Sequence, residues 1–366
     1  MKILLLAAGG RAGSDFFHSL LDGHSQILQF PGYLKVYKLK RIFTSSIPKE
    51  IASLFTKTHP EYFDSRYEKF ERWHKLGPYK NKFFKVNKKK FIDTFVKISD
   101  IKKNSKIEII KNLHKAYFIT RGMNTKKSKI LFVHTHLLSW TKEFINLTKI
   151  KKFEIIHTIR HPLASISSPL KTWLSFENGS SFFSKDLYYQ LDLVLNCIRD
   201  LKKLSNVYII QLEKLHLNNS QVMRSFCKKF KIKHEKCLSQ STKINLKWWG
   251  DSASQKWISG VNKNFKITIK EKFFFKRDLI FFQFLTENII KKYRYDFFYK
   301  RKKIIFNFLP MKCEILVWKN TIKFLFFKGF RWKHLLSIPF FYLKRILLLN
   351  KFFVGEEEEY LPRSIL

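Results

Sequence analysis

The sequence predicts an α/β protein with a central parallel sheet flanked by helices. Four short apolar runs have the length and composition of strands that are buried on both faces. Helical patterns lie between these runs, and alternation of strands and helices is typical of a parallel sheet. Three of the runs also end in groups suited to anion binding or acid–base chemistry, as expected where the strands of such a sheet present a ligand edge.

The predicted elements follow one another in a regular order. The first strand enters a glycine-rich turn and a helix that ends at Gly23. A later helix begins at Pro162, a residue favoured in the first turn. The strands are predicted at residues 2–8, 129–135, 153–160 and 206–212, and the helices at 14–22, 163–173, 187–204 and 221–230.

Two segments depart from this order. Residues 35–128 are basic and aromatic and are predicted to be a helical insertion, with helices over 62–73 and 90–101. From about residue 301, basic clusters alternate with Phe, Leu and Ile runs, before an acidic stretch at 356–359 that indicates a solvated end. We therefore predict an α/β domain over residues 1–300 and a basic, aromatic-rich helical C-terminal extension over 301–366. This extension either packs around the domain or lies on an anionic membrane as an interfacial helix.

Composition narrows the class of protein. The 366 residues include 71 Lys and Arg against 28 Asp and Glu, a net charge of +43. Such a charge favours anionic partners, although A/T-rich codons for Lys, Phe, Ile and Asn would also raise it. A hydrophobic fraction of 45% with 39 Phe residues excludes a disordered chain.

The cysteines and the lengths of the apolar runs indicate the cellular compartment of the protein. The four cysteines form no C-x-x-C pair, which predicts neither a zinc site nor a disulfide framework and fits a reducing compartment. The apolar run at 3–8 is too short for a signal peptide, and no stretch approaches the roughly 20 residues of a membrane span. We expect a cytoplasmic protein, with peripheral contact at the inner face of the membrane left open.

The turn after the first strand is the first candidate site. Residues 9–14 read Gly-Gly-Arg-Ala-Gly-Ser, so a strand, a glycine-rich turn and a hydroxyl meet at a helix start. Backbone N–H groups there attract anions, Arg11 can fork onto two oxygens, and Ser14 can donate one more bond. The G-x-x-x-x-G-K-[ST] loop of nucleotide hydrolases is absent. An ordinary strand–turn–helix corner is the alternative.

Two further strand ends carry candidate groups. Arg160 ends the third long strand, and Ser168 follows it by eight residues, two turns into the next helix, so both can reach one phosphate. The alternative is a structural arginine and an ordinary helix serine. His134, Thr135 and His136 close the second long strand. The carboxyl ends of parallel strands share one edge, so these groups are expected to converge.

These motifs resemble those of the sulfotransferases that use 3′-phosphoadenosine 5′-phosphosulfate (PAPS). The turn at 10–14 is similar to their 5′-phosphosulfate loop, and Arg160-His161-Pro162 with Ser168 is similar to their 3′-phosphate motif. Residues 207–215 and 248–252 resemble a later strand and a loop that closes over the nucleotide. The resemblance covers about residues 1–296. It implies a P-loop-like three-layer fold, no metal, and donor binding by Gly10, Arg11, Ala12, Gly13, Ser14, Arg160, Ser168, Trp249 and Lys256.

The same resemblance suggests the catalytic groups. Sulfuryl transfer is an in-line displacement served by positioning, electrostatics and a base for the acceptor hydroxyl. Arg11 would stabilise the transferred group, and His136 matches the histidine of a K-T-H-L stretch in cytosolic members. A buried structural histidine is the alternative for His136, and His134 is the competing base. Asp15 departs from the family, which often has Ser or Thr there.

The sequence thus predicts a PAPS-dependent sulfotransferase acting on an acceptor hydroxyl, with a carbohydrate or glycolipid as the expected acceptor. Two alternatives stay open at this level. One is a basic nucleic-acid- or membrane-binding protein on an α/β scaffold, although no nucleic-acid module is recognisable and nucleic acid is not an expected partner. The other is a nucleotide-dependent kinase, which the missing Gly-Lys-Ser/Thr disfavours.

Overall fold

The structure, a computed structural model, describes most of the chain. The described residues are 1–100, 105–174, 183–201, 206–252, 257–269, 271–300, 308–324, 332–353 and 362–365.

A six-stranded parallel sheet forms the centre of the molecule, in the order β2-β3-β1-β4-β5-β8, and β6 and β7 form a separate antiparallel hairpin. The four long strands match the predicted ones within two residues at each end. The short β2 and β8 at the two edges lack a strand-length apolar run and were not predicted. The strands are β1 (Lys2–Ala8), β2 (Ile27–Leu28), β3 (Ile130–Leu137), β4 (Glu154–Ile159), β5 (Val207–Gln211), β6 (Thr242–Lys243), β7 (Leu246–Lys247) and β8 (Arg363–Ser364).

Helices cover both faces of this sheet. The described α-helices are α1 (Ser14–Leu20), α2 (Val36–Ile42), α3 (Pro48–Thr58), α4 (Pro60–Phe63), α5 (Lys88–Ile98), α6 (Lys106–Thr120), α7 (Leu138–Thr148), α8 (Pro162–Leu174), α9 (Ser184–Leu201), α10 (Leu212–Leu217), α11 (Asn219–Phe230), α12 (Lys276–Leu285), α13 (Glu287–Lys292), α14 (Lys312–Phe324) and α15 (Lys333–Phe353).

Strand alternation explains the three layers. Along β1, Leu5 and Ala7 enter a core shared with the insertion helices and α7, while Leu4 and Leu6 enter a core shared with α1 and α11. Successive strand residues point to opposite faces, so a strand that is apolar throughout must be covered on both. The prediction of a parallel sheet flanked by helices is therefore confirmed.

The insertion between β2 and β3 is helical, as predicted, but one of its helices differs. The helix predicted over 62–73 ends at Phe63, because Asp64 is extended (φ −147°) and its side chain accepts a hydrogen bond from the Arg66 amide. A 3-10 turn, Ser65–Tyr67, follows. This capping interaction restarts the chain in a new direction, which the helical spacing of the apolar residues does not reveal.

The C-terminal residues pack on the α/β domain. A third core joins α8, α9 and α12 to Cys313 and Val317 of α14 and to Leu348 and Leu349 of α15. The last described strand, β8, pairs with β5 at the edge of the main sheet. The domain division at residue 300 stays a prediction.

Candidate active site

The loop between β1 and α1 has an unusual backbone. Gly10, Arg11 and Gly13 all have positive φ, at 28°, 51° and 82°. At Gly13 a Cβ would overlap Leu212 Cδ1, and at Gly9 it would lie 2.8 Å from Cys197 Cβ. Glycine is thus required at position 13 by conformation and by space together. The loop is held tightly between α9 and α10, at the carboxyl end of the central strand.

Arg11 projects from this loop and pairs with Asp251. Its Nη1 donates to Asp251 Oδ2 at 2.6 Å and its Nη2 to Oδ1 at 3.2 Å, a two-pronged geometry. Burial lowers the pKa of Arg11, but the attraction of Asp251 and its hydrogen bonds outweigh burial and raise it. The guanidinium is therefore charged and is already shaped to hold two oxygens of an anion.

Arg160 lies just beyond the end of β4, next to the central strand. Its Nε is buried and has no hydrogen-bond partner among the described residues. Burial lowers the pKa of Arg160, and Arg11 adds to this while Glu213 opposes it. A buried guanidinium N–H without a hydrogen-bond partner is costly unless an anion completes it, so the position of this Nε suits a phosphate.

Glu213 holds the backbone beside Arg160. Its Oε1 accepts from the His161 amide at 2.9 Å, and its Oε2 accepts from the Tyr295 hydroxyl at 3.1 Å. Burial raises the pKa of Glu213, while these bonds and Arg160 oppose the rise. The start of α8 is thereby tied to α10 and to the segment after α13.

Helix α8 also contacts the Arg11 loop. Ser165 Oγ donates to the carbonyl oxygen of Gly10 at 3.1 Å. Ser168 is half-buried and lies three residues further on, so it shares the helix face of Ser165. The two predicted anion motifs, at Arg11 and Arg160, are thus joined through one helix. Their roles in donor binding stay predictions.

A histidine pair lies at the end of β3, beside the first turn of α1. His134 is fully buried and its Nδ1 is 3.8 Å from Asp15 Oδ1. The strand bulges here, because Leu6 pairs with His134 and Ala7 with His136, and His136 has φ 69°. His136 is half-buried and is therefore the more accessible of the two, as its position nearer the strand end predicts.

Asp15 connects both histidines. One carboxylate oxygen of Asp15 and one ring nitrogen each of His134 and His136 lie within 4.8 Å of one another. Burial lowers the pKa of His134 to about 3, so this ring is neutral. Burial raises the pKa of Asp15, but the histidines, Lys243 and Arg11 outweigh it and lower the pKa. A carboxylate beside two imidazoles can bind a metal ion or stabilise a protonated imidazole. The nearby Lys243 and Arg11 repel a metal cation and therefore favour the role in proton transfer.

Lys243, which the sequence did not single out, lies buried beneath this group. Its Nζ donates to Pro31 O at 2.8 Å and lies 4.9 Å from the Trp248 ring centroid. Burial lowers the pKa of Lys243, and Asp15 and Glu71 oppose that change. Burial and the neighbouring carboxylates raise the pKa of Glu71 well above its usual range. No local pattern could reveal this set, because it joins α1, the insertion and β6.

An aromatic surface borders His136. Tyr33 lies 4.9 Å from the His136 ring and 6.0 Å from Trp140, and Tyr37 lies 5.7 Å from Trp140, measured between ring centroids. Tyr37 is half exposed, so one end of this surface is open. No local pattern reveals this surface, since Tyr33 and Tyr37 lie at the start of the insertion and Trp140 follows β3.

The structure describes one of the two residues predicted from the loop after β7. Trp249 donates its indole N–H to Gly77 O at 2.7 Å, and Lys247 Nζ and Lys80 Nζ lie 4.1 Å and 5.0 Å from its ring centroid. The loop is therefore fastened to the insertion, and stacking of Trp249 on adenine stays a prediction. Lys256 lies outside the described residues.

The fold and these groups define an α/β protein with two arginines and a histidine pair along one sheet edge. No family model and no curated protein matches the sequence significantly. Among solved structures, the chain is similar to the sulfotransferase domain of the Synechococcus PCC 7002 olefin synthase, with 13% identity, a TM-score of 0.37, and coverage of 67% of this chain and 79% of that one. It is also similar to the sulfotransferase domain from the curacin biosynthetic pathway, with 17% identity, a TM-score of 0.37, and coverage of 87% and 97%.

Proposed function

We propose that this protein is a sulfotransferase that transfers a sulfuryl group from PAPS to an acceptor hydroxyl. The observation that carries the proposal is the pair of arginines at neighbouring strand ends. Arg160 is half-buried, and its buried Nε has no partner among the described residues, while the two guanidinium nitrogens of Arg11 already bind the Asp251 carboxylate. Two cationic groups on one sheet edge suit a ligand with two separate anionic groups, which a 3′-phosphorylated nucleotide sulfate provides.

The residues fit this donor in a specific way. Arg160 and Ser168 would hold the 3′-phosphate, and Gly10, Ala12, Gly13 and Ser14 of the loop would hold the 5′ side together with Arg11. Bound PAPS supplies the activated sulfuryl group. Arg11 is charged and preorganised, so it stabilises negative charge that develops on peripheral oxygens without reorganising. Trp249 and Lys256 are proposed to close over the nucleotide.

His136 is proposed as the base that accepts the proton of the acceptor hydroxyl. It is half-buried at the strand end, whereas His134 is buried. When the His136 ring gains a proton, the ionised Asp15 lies close enough to stabilise the imidazolium. Asp15 therefore has a use here that the Ser or Thr of other sulfotransferases would not supply.

A carbohydrate or glycolipid acceptor is supported by the aromatic surface of Tyr33, Tyr37 and Trp140. Aromatic faces are electron-rich, so they attract the polarised C–H groups on the flat side of a sugar ring. The surface begins 4.9 Å from His136, measured between the Tyr33 and His136 ring centroids. A sugar lying on it would bring its hydroxyls toward the proposed base.

Ligand-induced thermal shift tests the donor assignment. Micromolar 3′,5′-ADP should raise the melting temperature, whereas short DNA and ATP should not. Arg160→Ala should abolish most of the shift, and Arg224→Ala, an exposed arginine on α11, should retain it. Equal stabilisation by DNA would favour the nucleic-acid alternative, and stabilisation by ATP alone would favour a kinase.

Turnover with radiolabelled PAPS tests the acceptor class. Sulfation of cell-envelope glycans or glycolipids is the expected result. Trp140→Ala should raise the KM for a sugar acceptor by about tenfold, because it removes an aromatic face, and leave the KM for PAPS unchanged. An unchanged acceptor KM would remove the aromatic surface from the acceptor site.

A further inference from the structure

Helix α15 and the preceding Trp332 carry an exposed apolar stripe. Five large side chains recur at spacings of four, four, three and four residues, which places them on one helix face. Each is more than half exposed: Trp332 (68%), Leu336 (72%), Phe340 (53%), Leu343 (59%) and Leu347 (60%). Contiguous apolar surface of this kind marks an interaction site.

The opposite face of α15 is fully occupied. Leu348 and Leu349 are buried in the core that also contains α8, α9 and α12. Arg345 is buried and pairs with Glu314 of α14, through Nε–Oε1 and Nη2–Oε2 distances of 2.9 Å and 2.8 Å. The helix is therefore fixed on the protein by one face, and the stripe is held outward by that packing.

The charged side chains of α15 itself are all basic. Glu314 is the only carboxylate between residues 308 and 353, and it is buried against Arg345. Lys333 is exposed next to Trp332, and Lys344 Nζ lies 4.4 Å from the ring centroid of Phe340. Both lysines fall on the same flank of the stripe by the helical repeat, since they are 11 residues apart.

We propose that α15 is a docking surface for an anionic lipid bilayer, on which it lies flat with the stripe in the interfacial region. Trp, Phe and Leu on one face with lysines beside them is the composition of helices that bind such surfaces. Charge complementarity selects the bilayer over a second copy, because pairing two copies of a +43 chain along this face would bring the same lysines together. In the part of the chain that the structure describes, no helix is long and apolar enough to cross a membrane.

Vesicle co-sedimentation of the full chain tests this surface. The protein should bind vesicles of phosphatidylcholine with phosphatidylglycerol and bind pure phosphatidylcholine at least tenfold more weakly. Leu336→Gln combined with Leu343→Gln should reduce binding to the mixed vesicles by at least tenfold. The matched control is Ile47→Gln with Leu217→Gln, which removes two exposed apolar side chains elsewhere and should bind like wild type.

Two further measurements separate the alternatives. Lys333→Glu with Lys344→Glu should weaken binding to the anionic vesicles by at least tenfold, because two lysines beside the stripe are lost. Stripe variants that bind mixed vesicles like wild type would overturn the proposal, since net charge alone would then explain binding. A concentration-dependent dimer that Leu336→Gln dissociates, without vesicle binding by the wild type, would also overturn it. Thermal stabilisation by 3′,5′-ADP should be equal in all these variants, so the result does not depend on the proposed enzymatic function.

Discussion

Arg160 is the residue whose burial bears most directly on donor binding. Its Nε is buried and unpartnered among the described residues, so a phosphate there would satisfy it. Arg160→Ala should weaken binding of 3′,5′-ADP by about 2–3 kcal/mol, the loss expected for a charge-assisted pair. Binding of adenosine 5′-phosphosulfate, which lacks the 3′-phosphate, should change little by calorimetry. Equal losses for both ligands would show that the arginine is structural.

Arg11 is the residue expected to act on the transferred group. Arg11→Ala should lower kcat by about 10²–10³, as when a preorganised oxyanion donor is removed. Arg11→Lys should recover part of the rate, because lysine keeps the charge and loses the fork. Steady-state kinetics with saturating PAPS measures both.

Substitution of Asp251 should have the opposite effect on anion binding to substitution of Arg11. It fills the guanidinium fork, so an anion must displace it. Asp251→Asn should therefore tighten binding of 3′,5′-ADP about three- to tenfold. An alanine variant at Arg11 that turns over like wild type, with its fold intact, would remove the loop from the active site.

His136 is the proposed base, and its kinetics should distinguish it from His134. His136→Ala should cut kcat by about 10²–10⁴ and leave 3′,5′-ADP affinity unchanged, and the acidic limb of the pH–rate profile should disappear. Asp15→Asn should lower kcat, because the imidazolium formed on proton transfer loses a neighbouring negative charge. Retention of the acidic limb in His136→Ala would leave the base unassigned.

At the scale of elements, the β1–α1 loop depends on Gly13. Its φ is 82°, and an added Cβ would overlap the Leu212 side chain, which would have to move. Gly13→Ala should destabilise the protein by about 2–4 kcal/mol, from backbone strain and overpacking together, and abolish 3′,5′-ADP binding. Urea unfolding measures the first effect and calorimetry the second.

Gly122 offers a matched control for that substitution. It has a similar φ of 77° but nothing within 4 Å of an added Cβ. Gly122→Ala should therefore cost only the backbone term, about 1–2 kcal/mol, and leave nucleotide binding intact. Equal destabilisation by Gly13→Ala and Gly122→Ala would mean that the Leu212 side chain moves aside at no cost, and that its packing does not require glycine at position 13.

At the scale of the whole molecule, buried histidines should make the fold sensitive to acid. Burial lowers the pKa values of His59, His114, His134 and His157 to about 3, and that of His18 well below its usual value. In the unfolded chain these groups take up protons near pH 6.5, so the unfolded state binds more protons below that pH. Their contribution to stability is present above about pH 6.5 and is lost as pH falls toward 3.

Two carboxyls act in the opposite sense. Burial raises the pKa values of Glu71 and Glu213, so they favour the folded state at lower pH, but they are fewer than the histidines. The unfolding free energy should thus fall as the pH is lowered from 7 to 5. The expected slope is about 1.4 kcal/mol per pH unit for each proton that the unfolded state binds in excess of the folded state. His157→Leu should flatten this slope in urea titrations, and exposed His234→Gln should not. A pH-independent unfolding free energy would contradict the prediction.

Much of the framework could be predicted from the sequence because it depends on local order. The four long strands appear as short apolar runs, and their ends match the structure within two residues. The loop at 9–14 and the Arg160-His161-Pro162 turn were recognisable since strand, turn and helix start are consecutive along the chain. Because the carboxyl ends of parallel strands lie at one edge of the sheet, the sequence also predicts that these motifs lie close together, although it shows no contact between them.

Pairing and burial were decided only by the tertiary structure. Arg11 and Asp251 are 240 residues apart, and Lys243 reaches Pro31 across 212. The buried Nε of Arg160, the bulge at His136 and the outward stripe of α15 likewise depend on which distant elements pack together. A one-dimensional pattern records which residues are apolar or charged, but the electrostatic energy of a charge depends on its distance to others and on its removal from water, and both are set when the chain folds.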